Sequence, residues 1–336
     1  RDKKGLAINL KTEKGHEVIA RLLKKSDIFL SNFRKPALGR LGLSYKDVKE
    51  INPDIIYAHG SGQGAEGPLS SRQSNDIIGQ FWGGYVSYGS AEGPMSVWSD
   101  LADRGGAIML GYGAALALLA RERHGIGQEV NTSLLGGQIH LGALKFQQYL
   151  FEGNAVSPLN PDPNLPTNPF YNVYQDKHGK WLCLGSEGNE QDWHSLCQVI
   201  DIPGMEVDNK FDSMNKRTVT NASQLCTLLK TKFSEKSIEE WEDKLDHSSL
   251  AWAPLRNYAD VISDHHILEN EFITNLNHPN KGRLQYLGLP VHLSKTPGKV
   301  RMPAPELGQH TEEILTEICD YTWEDVDEMK IREIIN

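Results

Sequence analysis

Apolar positions near the start of the chain alternate between the period of a helix and short buried runs. A helix is predicted from Thr12, a residue type that caps helix starts, to about Lys25. Apolar segments at Asp27 to Ser31 and Asp54 to His59 predict two buried strands, with a helix capped by Ser44 between them. Helices that alternate with strands are typical of a parallel sheet covered by helices, so the pattern predicts an α/β fold.

A longer helix that is apolar on nearly all sides is predicted after Asp103, and it is expected to be a central element. The charged residues from Arg121 predict its exit to solvent. A strand at Glu129 to Leu134 and one helix to about Leu150 follow. At the other end of the chain, Ile8 to Leu10 has the pattern of a strand already in progress, so the expectation is that an N-terminal strand segment is missing before Arg1.

The second half of the chain is predicted to form a smaller α+β domain. Strand-like segments at Tyr171 to Tyr174 and Lys180 to Leu184 flank a polar tip ending in Gly179, which indicates a hairpin. Helical patterns follow at about 190–200, 221–233 and 237–246. The predicted organisation is a large domain, a proline- and asparagine-rich linker, the small domain, and a return segment with a last helix after Gly308; the ranges are 1–153, 154–169, 170–278 and 279–336.

Composition narrows the class of protein. The 336 residues are 39% hydrophobic and carry a formal net charge of -9, which supports a substantial core and argues against nucleic acid or an anionic membrane as partner. The four cysteines form no CxxC pair, so they indicate reduced thiols and a cytoplasmic protein. No apolar run reaches the length of a membrane span, and no histidine spacing suggests a metal site.

Asp103 is the strongest candidate for chemistry. It directly precedes Arg104, Gly105 and Gly106 where a helix is predicted to begin, so unpaired backbone donors and the positive end of the helix dipole are expected to keep its carboxylate ionised. An ionised aspartate beside flexible glycines suits a nucleophile. The alternative is that Asp103 only caps the helix, which aspartates commonly do.

Three other patterns carry less weight. Gly62 to Gly67 matches GxGxxG after a strand, but Pro68 follows where a dinucleotide site needs an apolar helix, so NAD or FAD binding is disfavoured. No GxSxG anchors a serine hydrolase. Asn32, Phe33 and Arg34 follow a strand at its carboxyl end, where arginine can hold a phosphate; a solvated charged surface is the alternative.

Short motifs also recur along the chain in a fixed order. They are KGLAIN at Lys4 to Asn9, DIFLSNF at Asp27 to Phe33, RLGL at Arg40 to Leu43, INP at Ile51 to Pro53, SGQG at Ser61 to Gly64, DLAD at Asp100 to Asp103, LLARERHGIGQ at Leu118 to Gln128 and APELGQHT at Ala304 to Thr311. In this order they resemble the class III CoA-transferases, also called the formyl-CoA transferase and carnitine CoA-transferase family.

The resemblance implies a CoA-transferase that moves CoA from an acyl-CoA donor to a free carboxylic acid, with no tightly bound cofactor. Asp103 falls on the family's catalytic aspartate, which passes through mixed anhydrides and an aspartyl-CoA thioester. Backbone donors near Gly105 and Gly106 are expected to stabilise the developing negative charge. By the same resemblance, four positions line the CoA site, with Arg40 as phosphate partner; they are Asn32, Phe33, Ala37 and Arg40.

The implied fold is a Rossmann-like large domain and a smaller domain in an interlocked homodimer, with Gly185 to Gln191 resembling a glycine-rich flap near the acyl end. Two alternatives stay open. Related α-methylacyl-CoA racemases carry a proton-shuttling histidine where this chain has Asn75, and asparagine cannot shuttle a proton at neutral pH. The other alternative is a non-catalytic CoA-binding or truncated scaffold.

Overall fold

The computed structural model describes residues 1–84, 100–153 and 168–335. The chain divides into two compact units, one made of residues 1–160 and 275–336 and the other of residues 161–274. Most of the predicted linker, residues 154–167, lies outside the described residues. The predicted domain limits therefore stay predictions.

The first unit is built on a three-stranded sheet in the order β1-β2-β3, and both pairs are parallel. The strands are β1 (Ile28–Ser31), β2 (Ile56–Ser61) and β3 (Glu129–Ser133). Ile28 lies opposite Ile56, and Tyr57 lies opposite Glu129. The sheet and its helices confirm the predicted α/β class.

Seven helices accompany this sheet in the first half of the chain, as far as the structure describes it. They are α1 (Glu13–Lys24), α2 (Lys35–Arg40), α3 (Tyr45–Ile51), α4 (Asp76–Trp82), α5 (Leu101–His124), α6 (Leu134–Leu141) and α7 (Ala143–Glu152). Thr12 and Ser44 cap α1 and α3 through their side chains, as predicted. The prediction of one helix from 134 to 150 was wrong, because the chain forms two helices that meet at Gly142.

Buried apolar side chains hold these elements together in separate clusters. One cluster joins Leu38, Val48 and Ile55 around the strands and α3. Arg121, which was predicted to mark an exit to solvent, is instead mostly buried: it pairs with the Asp27 carboxylate at 2.7 Å and donates to the carbonyls of Asp27 and Asp54. The C-terminal end of α5 is thereby tied to the segments that lead into β1 and β2.

The end of the chain packs back on its beginning. Leu315, Val326 and Met329 form a second apolar cluster with Val18 of α1. The predicted strand at Ile8 to Leu10 is reduced to one antiparallel bridge between Ile8 and Ile335. The elements of this region are α13 (Thr311–Glu313), which continues in a wider helical turn to Ile318, and α14 (Trp323–Ile331).

The second unit contains an antiparallel sheet, β4-β5-β6, and its predicted hairpin is confirmed. Its strands are β4 (Tyr171–Gln175), β5 (Trp181–Gly185) and β6 (Trp252–Pro254), and its helices are α8 (Glu190–Ile200), α9 (Ala222–Phe233), α10 (Ile238–Asp246), α11 (Tyr258–Ser263) and α12 (His265–Glu269). Tyr174, Phe233 and Trp241 pack ring against ring in its core.

A further two-stranded sheet lies where the chain leaves the second unit. It is formed by β7 (Ile273–His278) and β8 (Gly282–Leu287). The sequence predicted no strand in this return segment, because its prolines and glycines obscured the alternation of β8. Across the described residues, every helix falls short of the length and apolar character needed to cross a bilayer.

Candidate active site

Several candidate residues lie at one edge of the parallel sheet. The three strands end at Ser31, Ser61 and Ser133, and parallel strands place their carboxyl ends at the same edge. The start of α5 reaches this edge, because a Cβ on Gly106 would lie 3.4 Å from the carbonyl oxygen of Ser133. The segment after β1 and the start of α5 therefore lie at the same end of the sheet, which is the end where α/β folds bind ligands.

Asp103 is the third residue of α5, and its side chain is exposed. The residue at the N-cap position, directly before the helix, is Asp100. It has a left-handed backbone (φ 50) that non-glycine residues seldom adopt, and its side chain makes no capping bond. The expectation that Asp103 might serve as the cap was therefore wrong. The carboxylate of Asp103 is left available at the surface of this edge.

The cap comes from Asp76, which the sequence analysis did not select. Its Oδ1 accepts hydrogen bonds from the backbone N–H groups of Ala102 (2.7 Å) and Asp103 (3.1 Å). Gln80 donates to its Oδ2 at 2.6 Å. The backbone donors expected to face the Asp103 carboxylate are thus occupied by a carboxylate from α4. An acidic residue in the first turn of a short helix was the only signal, and such residues are common.

The electrostatic surroundings of Asp103 differ from the expectation as well. Loss of hydration, then the negative charges of Asp76 and Asp100, raises the pKa of Asp103 above its usual value. The helix dipole alone would lower this pKa. A raised pKa makes the ionised carboxylate a stronger base and a stronger nucleophile than an ordinary surface aspartate.

Gly105 and Gly106 lie in the second turn of α5 and are buried. Their N–H groups fall beyond the four unpaired donors of the first turn, which corrects their expected role as donors to developing charge. Both pack against α6 instead: a Cβ on Gly105 would meet Leu141 at 3.0 Å, and one on Gly106 would meet Leu134 at 3.0 Å. Their absence of a side chain lets the two helices approach closely.

The predicted CoA-binding positions lie on one short stretch after β1. Asn32 and Phe33 are exposed, and the Phe33 ring is 56% accessible although it is apolar. Ala37 and Arg40 lie three residues apart on α2 and so share a face. In the described part of the chain Arg40 makes no ion pair, whereas Lys35 lies 3.7 Å from Glu66. An exposed ring and an uncommitted guanidinium suit a ligand with a flat base and phosphates.

His59 anchors this stretch, and it too was missed from the sequence. Its ring is buried at the carboxyl end of β2, and its Nε2 bonds the carbonyl oxygen of Phe33 at 2.8 Å. The other ring nitrogen has no partner among the described residues, and the same holds for side-chain atoms of Gln63, Thr132 and Gln138. Buried polar atoms without partners are rare in folded proteins, and they mark places where a ligand or water completes the bonding.

The loop from Gly62 to Gly67 lacks the helix that follows a GxGxxG motif in dinucleotide sites. No helix follows it before Asp76, and a Cβ on Gly62 would lie 2.2 Å from the Cβ of Ser74. Asn75, at the position of the racemase histidine, caps α4: its Oδ1 accepts from the N–H of Ile78 at 3.3 Å. Asn75 thus has a structural role, as the N-cap of α4.

Gly185 and Gln191 belong to the second unit. Gly185 ends β5 and donates its N–H to Ala251 at 2.8 Å, while Gln191 is exposed in the first turn of α8. The loop between them is anchored, because Asp192 Oδ2 accepts the N–H groups of Glu187, Gly188 and Asn189. The structure thus places the candidates of the first unit at one edge of its parallel sheet and describes these two within a separate unit.

Comparison with known proteins establishes the family. The model of CoA-transferase family III matches residues 1–311. The chain therefore belongs to CoA-transferase family III and is an enzyme of the CoA-transferase class.

Individual relatives agree with this assignment. The chain is 30% identical over 334 residues to the succinyl-CoA:glutarate CoA-transferase of Mus musculus, covering 96% of this chain and 73% of the relative. It is 27% identical to the formyl-CoA:oxalate CoA-transferase of Streptomyces coelicolor, covering 93% of this chain and 79% of the relative. A CAIB/BAIF family protein from Brucella suis shares the fold with a TM-score of 0.80 at 24% identity, covering 93% and 81% of the two chains.

Proposed function

We propose that this enzyme transfers CoA from an acyl-CoA donor to a free carboxylic acid, with Asp103 as the nucleophile. The observation that carries the proposal is an exposed carboxylate of raised pKa at the carboxyl edge of the sheet, with its backbone held by a second carboxylate. The family and the relatives support CoA transfer in general. The covalent route through Asp103 is our assignment.

The reaction consists of successive acyl transfers. The Asp103 carboxylate attacks the thioester carbonyl of the donor, the C–S bond breaks, and a mixed anhydride and CoA thiolate form. The thiolate attacks the aspartyl carbonyl, which releases the donor acid as a carboxylate and leaves an aspartyl-CoA thioester. The acceptor carboxylate then displaces CoA thiolate to form a second anhydride, and the thiolate attacks the acceptor's acyl carbon. Asp103 is regenerated, and no proton or water is consumed.

The stretch after β1 is proposed to hold the CoA moiety. Phe33 offers a flat apolar face for the base of CoA, and Arg40 offers a guanidinium for its phosphates. Asn32 supplies a polar side chain beside them, and the small side chain of Ala37 lets CoA approach closely. His59 fixes this stretch through the Phe33 carbonyl. CoA enters and leaves as substrate, so no tightly bound cofactor is part of the proposal. Gly185 and Gln191 are proposed to contact the acyl end, a role carried over from the resemblance.

An Arg40→Gln variant tests the binding assignment. Removing the guanidinium is expected to raise KM for acyl-CoA by about 10- to 150-fold with kcat little changed, since a charged hydrogen bond to phosphate contributes roughly 1.5–3 kcal/mol. Arg332→Gln, which removes a surface arginine paired with Glu328, is the matched control and is expected to leave KM unchanged. Equal KM values for the two variants would remove Arg40 from the site.

The transferase route is favoured over the racemase route by Asn75. A racemase needs a proton shuttle at that position, and the Asn75 amide neither titrates nor is free, since it caps α4. The relatives' names include succinyl, formyl and cinnamoyl thioesters, so the acyl groups used across the family differ widely. The donor for this enzyme is therefore best found by screening.

The deciding experiment is mass spectrometry of the protein incubated with a panel of acyl-CoA esters and quenched with hydroxylamine. An activated aspartyl ester is expected to yield a hydroxamate on the Asp103 peptide, and Asp103→Asn is expected to abolish it. The donor that gives the adduct identifies the substrate. A folded protein that binds CoA yet gives no adduct with any ester contradicts the covalent route.

We also propose that the enzyme acts as a cytoplasmic homodimer of the interlocked type. A stripe on α5 exposes large apolar side chains about one turn apart: Ile108, Tyr112, Leu116 and Leu119 are 46–65% accessible. A helix face of this kind in a single chain indicates a partner surface. All four cysteines are free thiols, which agrees with a reducing compartment.

A further inference from the structure

The start of α5 is held by a residue from a different helix. The bonds from Asp76 Oδ1 to the N–H groups of Ala102 and Asp103 span 26 and 27 residues of sequence. We propose that Asp76 is a positioning residue, which fixes the backbone from which the Asp103 carboxylate attacks. This inference rests on the proposed function, because it assigns a role in that reaction.

The Asp76 carboxylate is fully committed to this task. One oxygen serves the two backbone donors and the other accepts from the Gln80 amide, which is itself buried. The Asp76 side chain therefore has one orientation, and its hydrogen bonds fix the start of α5 relative to α4. No local group replaces it, since Asp100 makes no capping bond and adopts a left-handed backbone. Loss of Asp76 would leave two donors unpaired directly at the nucleophile.

The charge of Asp76 has a second effect on the reaction. Among the described residues, the charged groups that act on Asp103 are Asp76 from α4 and Asp100 at the N-cap of α5, and the guanidinium of Arg104 lies 3.8 Å from the Asp100 carboxylate. The only ionisable side chain of α6 is the exposed His140. Asp76 is thus the acidic neighbour from outside the helix, and neutralising it is expected to move the ionisation of Asp103 to lower pH.

Two variants of the full chain separate position from charge. Asp76→Asn keeps an oxygen for the two N–H groups and removes the charge, whereas Asp76→Ala removes both. The measurement is the single-turnover rate of hydroxylamine-trapped Asp103 adduct as a function of pH, with the acyl-CoA found in the screen. Asp325→Asn is the matched control, because the Asp325 carboxylate also accepts a backbone N–H at a helix start, that of Thr322, the N-cap residue of α14.

The expected result is a rate for Asp76→Ala about 10- to 100-fold below wild type, since small misplacement of a reacting group costs rates of this order. KM for acyl-CoA should change less than threefold. Asp76→Asn should recover most of the rate, and its acid limb should move to lower pH. The control should match wild type in both respects.

Two outcomes overturn the inference: an alanine variant that reacts within threefold of wild type, or an asparagine variant whose acid limb does not move. If Asp76→Ala does not fold, Asp76→Glu, whose extra methylene group displaces the carboxylate from the two N–H groups, replaces it as the test of position. Failure of the proposed function is distinguishable, because the wild-type protein would then give no Asp103 adduct.

Discussion

Asp103 is placed where its chemistry and the stability of the fold oppose each other. Its carboxylate is exposed, but partial loss of hydration and two acidic neighbours disfavour its charged form. The folded protein would therefore be more stable if the side chain of Asp103, the proposed nucleophile, carried no charge. Asp103 therefore lowers the stability of the fold, and its exposed side chain adds no packing contact in return.

We expect Asp103→Asn to abolish adduct formation and to stabilise the protein at pH 7 by about 0.5 kcal/mol. A carboxyl whose pKa is raised in the folded state weakens the fold as pH rises through that pKa, and it has no effect below its unfolded value of 3.8. The stability gain should therefore vanish in acid. Thermal unfolding of both proteins across this pH range measures it.

Asp325→Asn provides a control of opposite sign. Backbone and hydroxyl hydrogen bonds from Thr322 lower the pKa of Asp325, so its ionised form stabilises the fold above the unfolded pKa, and this is lost as pH falls. Its substitution should destabilise the protein at pH 7. A loss of stability in Asp103→Asn at pH 7 would contradict the account of the Asp103 environment.

Sequence reasoning found Asp103, but it missed Asp76, which holds the backbone of Asp103, and His59, which holds the segment at Phe33. Asp103 stands next to a glycine pair at a predicted helix start, which is a local pattern. Asp76 and His59 act through contacts with Ala102 and Phe33, which lie 26 residues away in both cases. Such contacts exist only in the folded chain, and neither residue has an unusual neighbourhood in sequence.

Among the elements, α5 and α6 meet through glycines. A Cβ on Gly137 would lie 2.8 Å from the backbone carbon of Gly105 and 2.8 Å from the backbone nitrogen of Gly106. Backbone atoms cannot turn aside as a flexible side chain does. The distance between α5 and α6, and with it the position of α5 against the sheet, depends on Gly105, Gly106 and Gly137.

Gly137→Ala is expected to destabilise the protein by roughly 1–3 kcal/mol, because the helices must separate to admit the methyl group. Gly111→Ala is the matched change on α5, where an added Cβ meets nothing within 4 Å, and it should stabilise the helix by about 0.5–1 kcal/mol. Urea unfolding of both variants checks the pair. Similar effects of the two substitutions would contradict the close approach.

The hairpin of the second unit is joined to α10 by two ion pairs. Glu239 pairs with Lys180 and Glu240 with Lys177, and these partners lower the pKa of each carboxyl to about 2. Carboxyls with lowered pKa values support the fold above their unfolded pKa of 4.5, and this support is lost as pH falls toward 2.

The double variant Lys177→Gln, Lys180→Gln should therefore flatten the acid dependence of unfolding in this window. The measurement is the midpoint of urea unfolding between about pH 5 and pH 2.5, compared with wild type. If the midpoint changed with pH as steeply as in wild type, these two surface ion pairs would not stabilise the fold in solution.

Most elements followed from local signals, and the failures have local causes. Thr12 and Ser44 carry capping side chains, and the Glu129–Ser133 strand was found because glycines frame it. The break at Gly142 was missed because the apolar pattern continues from α6 into α7, and a single glycine inside such a pattern does not always end a helix. Strand β6 was missed because its three residues include Pro254.

For the whole molecule, the parallel sheet was predictable from alternation, whereas the assembly was not. The α5 stripe was expected to be core, because a helix apolar on nearly all sides is usually buried. Because the stripe is exposed in a single chain, we now expect a second copy of the chain to cover it. Spacing alone cannot distinguish a core face from an interface.

A Tyr112→Glu variant tests this surface. The wild-type protein is expected to sediment as a dimer, and a charge in the centre of the apolar stripe should weaken association at least 100-fold, because the carboxylate would be buried without a partner. Val207→Glu is the control, since Val207 is 80% exposed outside the stripe. Sedimentation velocity over a range of concentrations measures both. A dimer of unchanged affinity in Tyr112→Glu would place the interface elsewhere.

The contacts of Arg121 have a consequence for turnover far from the reacting atoms. Arg121 fastens one end of a rigid rod to the segments before β1 and β2, and Asp103 sits near the other end, 18 residues or about 27 Å away. A small tilt of α5 at Arg121 would displace the carboxylate of Asp103, the proposed nucleophile. Random screens for impaired catalysis should therefore recover changes at Arg121 and Asp27, at the opposite end of α5 from Asp103.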